Sequence, residues 1–329
     1  MTTTLITGGF GFLATWTAKA LHDAGHDVVL VDNRPLEGSS LQMSGLLCAP
    51  GITAGRADIT EFGALDRFGP VDYVVHAAAV LGVSTVRDLP ARTLQVNIDG
   101  TRVALDYAAR VANCRRFLLL STSEVYGDDA AHATEQSWLS VRTDDPRWSY
   151  AVSKIAAESW VYAYHAEHGL PFSIVRPFNV FGPLRTGGYA VSAFAQQALT
   201  AEPVTVHGDG SQTRAWCYAG DFADGLIRCL LDPAAEGQAF NIGDDRAELT
   251  VNELAERIVR YSGSGSSVCH HTRSGPDIAR RRPDISKARA LLGYDPRSDF
   301  DARLRETVGW INDHDSWALH SKQIAAPSR

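Results

Sequence analysis

Tyr150 and Lys154, in the stretch WSYAVSKIAAE, are the residues of this chain best suited by type and spacing to move a proton. On a helix, residues four apart lie on one face. The phenol and the ammonium would then share one space. A cation beside a phenol favours the phenolate, so the spacing predicts a tyrosine titrating below its usual value of about 10. Such a group is a general base near neutral pH. A solvated pair of the same spacing would do nothing. The distinction rests on what else the chain places nearby.

Two segments upstream supply that company. TGGFGFLA at 7–14 follows a β-branched run and opens a helical pattern. Gly8 and Gly11 allow a tight turn and a close approach to a diphosphate, and the helix start offers free N–H groups to the anion. Asp32 stands at the end of the next strand-like run, where a carboxylate accepts hydrogen bonds from a ribose diol and repels a 2′-phosphate. This favours NAD over NADP, although Arg34 is a residue able to hold that phosphate. Asp58 follows a further strand and reads either as an adenine ligand or as a surface carboxylate. STSEVYG at 121–127 closes another strand and brings Thr122, Ser123 and Glu124 to its end.

The elements that must position these residues are legible from periodicity. VVLVDN (28–33), DYVVHAAA (72–79), FLLLSTS (117–123) and FSIVRPFNV (172–180) are near-continuous apolar runs, as in strands buried on both faces of a parallel sheet. Helical patterns lie between them, near 12–24, 95–112 and after Tyr150. This alternation predicts an α/β fold, a Rossmann-type doubly wound parallel sheet. Past residue 180 the pattern changes. Helices near 190–200, 221–232 and 250–261 and the short strand AFNIG (239–243) predict a smaller C-terminal α/β domain. The expected division is an NAD-binding domain over 1–180, with return segments near 214–245, and a substrate domain over 181–329.

Composition limits the functional classes. The 329 residues carry a formal charge of −7, which offers no broad basic surface for nucleic acid. No apolar run is long enough to span a bilayer, and no basic, apolar leader precedes the first strand-like run. A cytoplasmic protein is expected. Cys48, Cys114, Cys217, Cys229 and Cys269 are odd in number, scattered and without a CxxC pair, so neither a disulfide framework nor a zinc site is expected. His270 and His271 after Cys269 are a poor metal signal.

In this order the motifs resemble the extended short-chain dehydrogenase/reductase proteins, the nucleotide-sugar epimerases, dehydratases and decarboxylases. The resemblance runs over nearly the whole chain. It rests on TGGFGFLA, Asp32, Asp58-Ile59, HAAA (76–79), Asn97 with Gly100-Thr101, STSEVYG, Tyr150-x-x-x-Lys154, RPFNVFGP (176–183), GDGSQTR (208–214) and RRPD (281–284). Ala14 stands where the family usually has a third glycine. The resemblance implies NAD held by Gly8, Gly11, Phe12, Leu13, Asp32, Asn33, Asp58, Ile59, Ala77, Ala79 and Asn97, together with Tyr150 and Lys154; Asn97 would brace the backbone near the site. Tyr150 would take a proton from a sugar hydroxyl at C4, with Thr122 bonding the same hydroxyl and Lys154 holding the phenolate and the nicotinamide ribose.

The resulting 4-keto sugar can lose a C5 carboxylate, be re-reduced on its other face, or eliminate its C6 hydroxyl. The 4,6-dehydratases usually carry an Asp-Glu pair where this chain has Ser123-Glu124, which disfavours elimination. STSEVYG is closest to the motif of UDP-glucuronate decarboxylases. The expected activity is decarboxylation of UDP-glucuronate, with a UDP-glucuronate or UDP-hexose 4-epimerase as the alternative and an NAD-binding regulator without turnover as the remote one. Asn179, Arg214 and Arg273 are expected on the substrate diphosphate, with Arg282 competing with Arg273. Arg185 reads as a solvated loop arginine, or as one reaching a hexuronate carboxylate. Relatives commonly dimerise through a four-helix bundle, which helix 95–112 and the helix after Tyr150 would supply.

Overall fold

The computed structural model describes residues 2–111, 113–129, 131, 133–185, 187–272 and 278–314. The apolar runs form strands whose neighbours in sequence face opposite ways. The first half holds β1 (Thr3–Thr7), α1 (Phe12–Asp23), β2 (Asp27–Asp32), α2 (Ser40–Ser44), β3 (Ile52–Arg56), β4 (Tyr73–His76), α3 (Val83–Asp88), α4 (Pro90–Arg110), β5 (Arg116–Leu120), α5 (Ser149–His168) and β6 (Phe172–Pro177). The second half continues with β7 (Val180–Phe181), α6 (Ala190–Leu199), β8 (Val204–His207), β9 (Thr213–Ala215), β10 (Cys217–Tyr218), α7 (Ala219–Leu231), β11 (Gln238–Ile242), β12 (Glu248–Thr250), α8 (Val251–Ser262), β13 (Val268–His271), β14 (Arg280–Arg281), α9 (Ser286–Leu292) and α10 (Phe300–Asp313).

The central sheet has seven strands in the order β11-β6-β5-β4-β1-β2-β3, and every pairing in it is parallel. Alternate residues feed two cores. Ile6, Leu30, Val75, Leu118 and Phe240 face α1 and α7. Leu5, Val31, Val74, Phe117 and Ile174 face α4 and α5. This is the doubly wound Rossmann arrangement, and its order reverses between β1 and β4, where such sheets bind ligands at their carboxyl edge. β11 follows α6 and α7 in sequence and pairs Gln238–Ile242 with Ser173–Pro177.

A third core gathers Phe194, Val206, Trp216, Leu254, Ile258, Leu304 and Val308 beneath α6, α8 and α10. β9 joins β12 antiparallel and β14 parallel, which sets Arg214 beside Arg281. Helix ends follow local chemistry. Gly25, at φ +83, follows α1 and its N–H closes on the His22 carbonyl. Thr250 and Glu253 form a reciprocal capping box at α8. Among the described residues, no helix is long and apolar enough to cross a membrane.

Candidate active site

The carboxyl edge of the sheet collects the predicted residues: Gly8 to Leu13 after β1, Asp32 and Asn33 after β2, Asp58 and Ile59 after β3, Ala77 and Ala79 after β4, and Thr122 to Glu124 after β5. Gly8 lies at φ +67, and a Cβ there would sit 2.7 Å from the Ala78 Cα. Only glycine lets the turn close on the β4 loop. Gly11 is the N-cap of α1 and gives no side-chain cap. The first N–H groups of that helix therefore aim outward over the turn, a cradle that suits a dinucleotide's diphosphate. Ala14, in place of a third glycine, is buried without displacing the helix.

Asp32 is buried and held on both sides. The Phe10 N–H donates to its Oδ2 at 3.1 Å, and Arg34 grips both oxygens, Nε to Oδ1 at 2.9 Å and an NH2 to Oδ2 at 2.7 Å. Charge-assisted bonds of this kind hold Arg34 above its ordinary pKa. Asp58 accepts from the Thr60 N–H and hydroxyl, which lower its pKa, with Asn33 adding a side-chain bond. The Asn97 amide is bonded within the protein. Its Oδ1 accepts from Val80 N–H at 2.7 Å, and its Nδ2 donates to Val80 O and to Ser153 Oγ. It thus ties the loop carrying Ala77 and Ala79 to the helix carrying Tyr150.

Helix α5 reads the end of β5 with three residues at successive turns. Tyr150 faces Thr122, whose hydroxyl opposes the upward shift of the phenol, Lys154 Nζ donates to Leu120 O at 2.7 Å, and Glu158 Oε1 accepts from Ser121 Oγ at 2.5 Å. Thr122 Oγ1 also accepts from Glu124 N–H at 3.2 Å. Ser123 is buried beside it. Glu124 Oε2 lies 3.3 Å from Arg147, and its Oε1 lies 3.8 Å from Arg281.

One expectation from the sequence is reversed. The Tyr150 phenol is pushed up, not down, by enclosure and then by the Glu124 carboxylate; Thr122 and Arg185 oppose this. Tyr150 keeps some solvent contact but is ringed by protein. The first reason is enclosure, and the second is where the charges point. Lys154 turns its ammonium to the Leu120 carbonyl, and the carboxylate of Glu124 is the stronger influence on the phenol. Burial lowers Lys154 to about 8, with Glu158 holding it up. His76, fully buried, is lowered to about 3 by burial and by Lys154, so it bridges Thr7 and Thr101 as a neutral ring.

Arg185 also departs from the solvated-loop reading. Its guanidinium lies 3.5 Å from the Tyr189 ring centroid and 4.9 Å from that of Phe12, and it shifts Tyr150. Its Nε is buried with no hydrogen-bond partner among the described residues. Asn179, at φ +37, donates to Ala215 O at 3.1 Å and so ties the sheet end to β9. Arg214 donates to its own neighbour's carbonyl, Thr213 O, at 2.7 Å. Arg273 lies outside the described residues.

Three groups missed in the sequence complete the site. Arg147 and Arg281 reach Glu124 from distant segments, although Arg281 belongs to the RRPD motif. Glu158 forms a buried bidentate pair with Arg176, at 2.9 and 2.6 Å, and Arg176 donates on to Tyr126 Oη at 2.7 Å. Glu158 continues the four-residue spacing of Tyr150 and Lys154, a signal present in AAESW.

The family model described as the NAD dependent epimerase/dehydratase family matches residues 4–243. The chain belongs to this family. Its cofactor is NAD, and the glycine turn, the uncapped start of α1 and Asp32 fit that group. A UDP-N-acetyl-alpha-D-glucosaminuronate decarboxylase of Bacillus cytotoxicus is 32% identical over 325 residues, 94% of this chain and 97% of the relative. A UDP-glucuronic acid decarboxylase of Arabidopsis thaliana is 35% identical over 306 residues, 92% of this chain and 85% of the relative. Among solved structures, Epimerase Mth375 of Methanothermobacter thermautotrophicus superposes with a TM-score of 0.89 at 29% identity, covering 97% of this chain and 95% of that one. The family member described here is thus an NAD-dependent enzyme of nucleotide-sugar type.

Proposed function

We propose that this chain decarboxylates UDP-glucuronate to a UDP-pentose through a 4-ketone. The observation that carries the reading is Glu124, a carboxylate beside the Tyr150 phenol and held between Arg147 and Arg281. On this reading these charged groups serve the chemistry at C5, next to the oxidised C4. The two decarboxylase relatives support the same choice.

Thr122 and Tyr150 hold the C4 hydroxyl, and Tyr150 as its phenolate takes the proton; enclosure and Glu124 work against that form, so the positive charges of Lys154 and of a bound nicotinamide would have to offset them. Bound NAD supplies the hydride acceptor at C4 and the hydride that later restores the hydroxyl. A C4 ketone makes the C5 carboxylate a β-keto acid. The C5–C6 bond breaks, CO2 leaves, and the electron pair becomes an enolate. On this reading the Arg281 guanidinium, 3.8 Å from Glu124, offsets that charge. A proton enters at C5, and Tyr150 returns its proton to the C4 oxygen. The sum consumes one proton and releases one CO2, with NAD unchanged.

On this reading residues 1–180, with return segments near 214–245, form the NAD-binding domain, and residues 181–329 form the nucleotide-sugar-binding domain. Asn179, Arg214 and Arg273 meet the diphosphate, and Arg185 meets the hexuronate carboxylate. Exposed Leu89, just before α4, and Tyr162 on α5, 44% and 46% exposed, support a homodimer through these helices. Five free cysteines support a reducing, cytoplasmic setting.

A second reading, a UDP-glucuronate 4-epimerase, is favoured by Arg185 itself: a guanidinium that holds the carboxylate favours keeping it on the sugar. The experiment is incubation of the purified protein with UDP-glucuronate and NMR of the products. CO2 and a pentose are expected. A C4 epimer with all carbons retained would overturn decarboxylation in favour of the second reading.

A further inference from the structure

The segment before Arg185 is held by the cofactor half of the molecule. Leu184 adopts φ +73, a left-handed conformation that a branched side chain rarely takes. Both carbonyls flanking that turn are claimed from across the chain. Trp16 Nε1, on α1, donates to Pro183 O at 3.1 Å, and Ser40 Oγ, on α2, donates to Leu184 O at 2.9 Å. The Trp16 indole is fixed in turn by an edge contact with Tyr218, 5.5 Å between centroids. Ser40 is buried. Beyond the turn, the Ser192 hydroxyl donates to Arg185 O at 3.0 Å. A strained turn persists only where its surroundings over-determine it. Here two donors from α1 and α2 supply that constraint, and the turn delivers Arg185 onto the rings of Phe12 and Tyr189.

We propose that Trp16 and Ser40 are positioning residues for substrate specificity: by pinning Pro183 and Leu184 they aim Arg185 at an acidic group on the sugar. This rests on the reading of Arg185 as the carboxylate-binding residue. It places part of the discrimination between a hexuronate and a neutral hexose on helices that touch no substrate. Phe12 sits on α1, the same helix as Trp16, so the Arg185 side chain and its backbone anchor share one support.

The test is calorimetric titration of UDP-glucuronate and UDP-glucose, which differ at C6, in a Tyr150→Phe background that stops turnover. Trp16→Phe with Ser40→Ala removes both donors but keeps an aromatic ring against Tyr218. Loss of the two bonds is expected to weaken UDP-glucuronate about tenfold while leaving UDP-glucose within about twofold. NAD affinity should not change. Ser40→Ala alone, a change of one oxygen, should weaken UDP-glucuronate about threefold and guards against a folding defect in the double variant. Arg185→Ala is run in parallel. If it abolishes discrimination and the double variant keeps it, or if the double variant weakens both sugars equally, the positioning role is overturned and the Arg185 reading stands. If Arg185→Ala itself keeps full discrimination, the carboxylate reading fails and this proposal with it.

Discussion

Lys154 works in a tight electrostatic frame. Burial has brought its ammonium down to about 8, and the Glu158 carboxylate one turn along α5 keeps it from falling further. Below pH 8 the amine is charged. Above that value it loses its proton and with it the positive charge at the end of β5; the ammonium faces Leu120 O, so it supports a Tyr150 phenolate only if the side chain turns toward the phenol. Activity is therefore expected to fall through an alkaline limb near pH 8. Glu158→Gln keeps the shape of the side chain and removes the counter-charge, so the limb should move to lower pH. Steady-state rates across pH 6–10 check both statements, and an unmoved limb in Glu158→Gln would separate Glu158 from Lys154. The motif itself, Tyr150 four residues before Lys154, was legible because the spacing is local. The environment of the phenol was not. Its dominant charge comes from Glu124, 26 positions upstream in sequence, and no periodicity reports on a contact of that kind. The same holds for Arg281, which meets Glu124 only because β14 pairs with β9.

At the scale of elements, the apolar runs were decisive because a strand buried on both faces has little other way to satisfy its sequence. β2, β4, β5 and β6 fall within a few residues of where VVLVDN, DYVVHAAA, FLLLSTS and FSIVRPFNV place them. The long helix near 95–112 begins earlier, at Pro90, because proline fits the first helical turn and its missing N–H costs nothing there. Cross-links between elements were hidden. Asn97 looks like one more polar residue of α4, yet it joins Val80 and Ser153 and so fixes the β4 loop against α5. Asn97→Ala leaves the Val80 N–H and carbonyl without partners. It should cost about 2 kcal/mol in urea unfolding and loosen NAD, read as faster cofactor loss on dialysis. Unchanged unfolding would show that the loop carries itself.

For the whole molecule, the pairing of α4 with α5 leaves Tyr162 half exposed on an outer face. If two copies meet there, Tyr162→Arg should give a monomer by size-exclusion chromatography with light scattering; a persistent dimer would move the interface elsewhere. The seven-stranded sheet has a separate consequence for how the protein is made. Its edge strand β11 begins at Gln238, but its partner β6 ends at Pro177. While residues 178–237 leave the ribosome, on the order of several seconds at typical elongation rates, the β6 edge is a row of backbone hydrogen-bonding groups without its β11 partner. An open edge of that kind recruits other chains. The nascent chain therefore has a window of vulnerability defined by topology. A premature stop in that interval should yield insoluble product, even though every residue of the glycine turn, Tyr150 and Lys154 would already be in place.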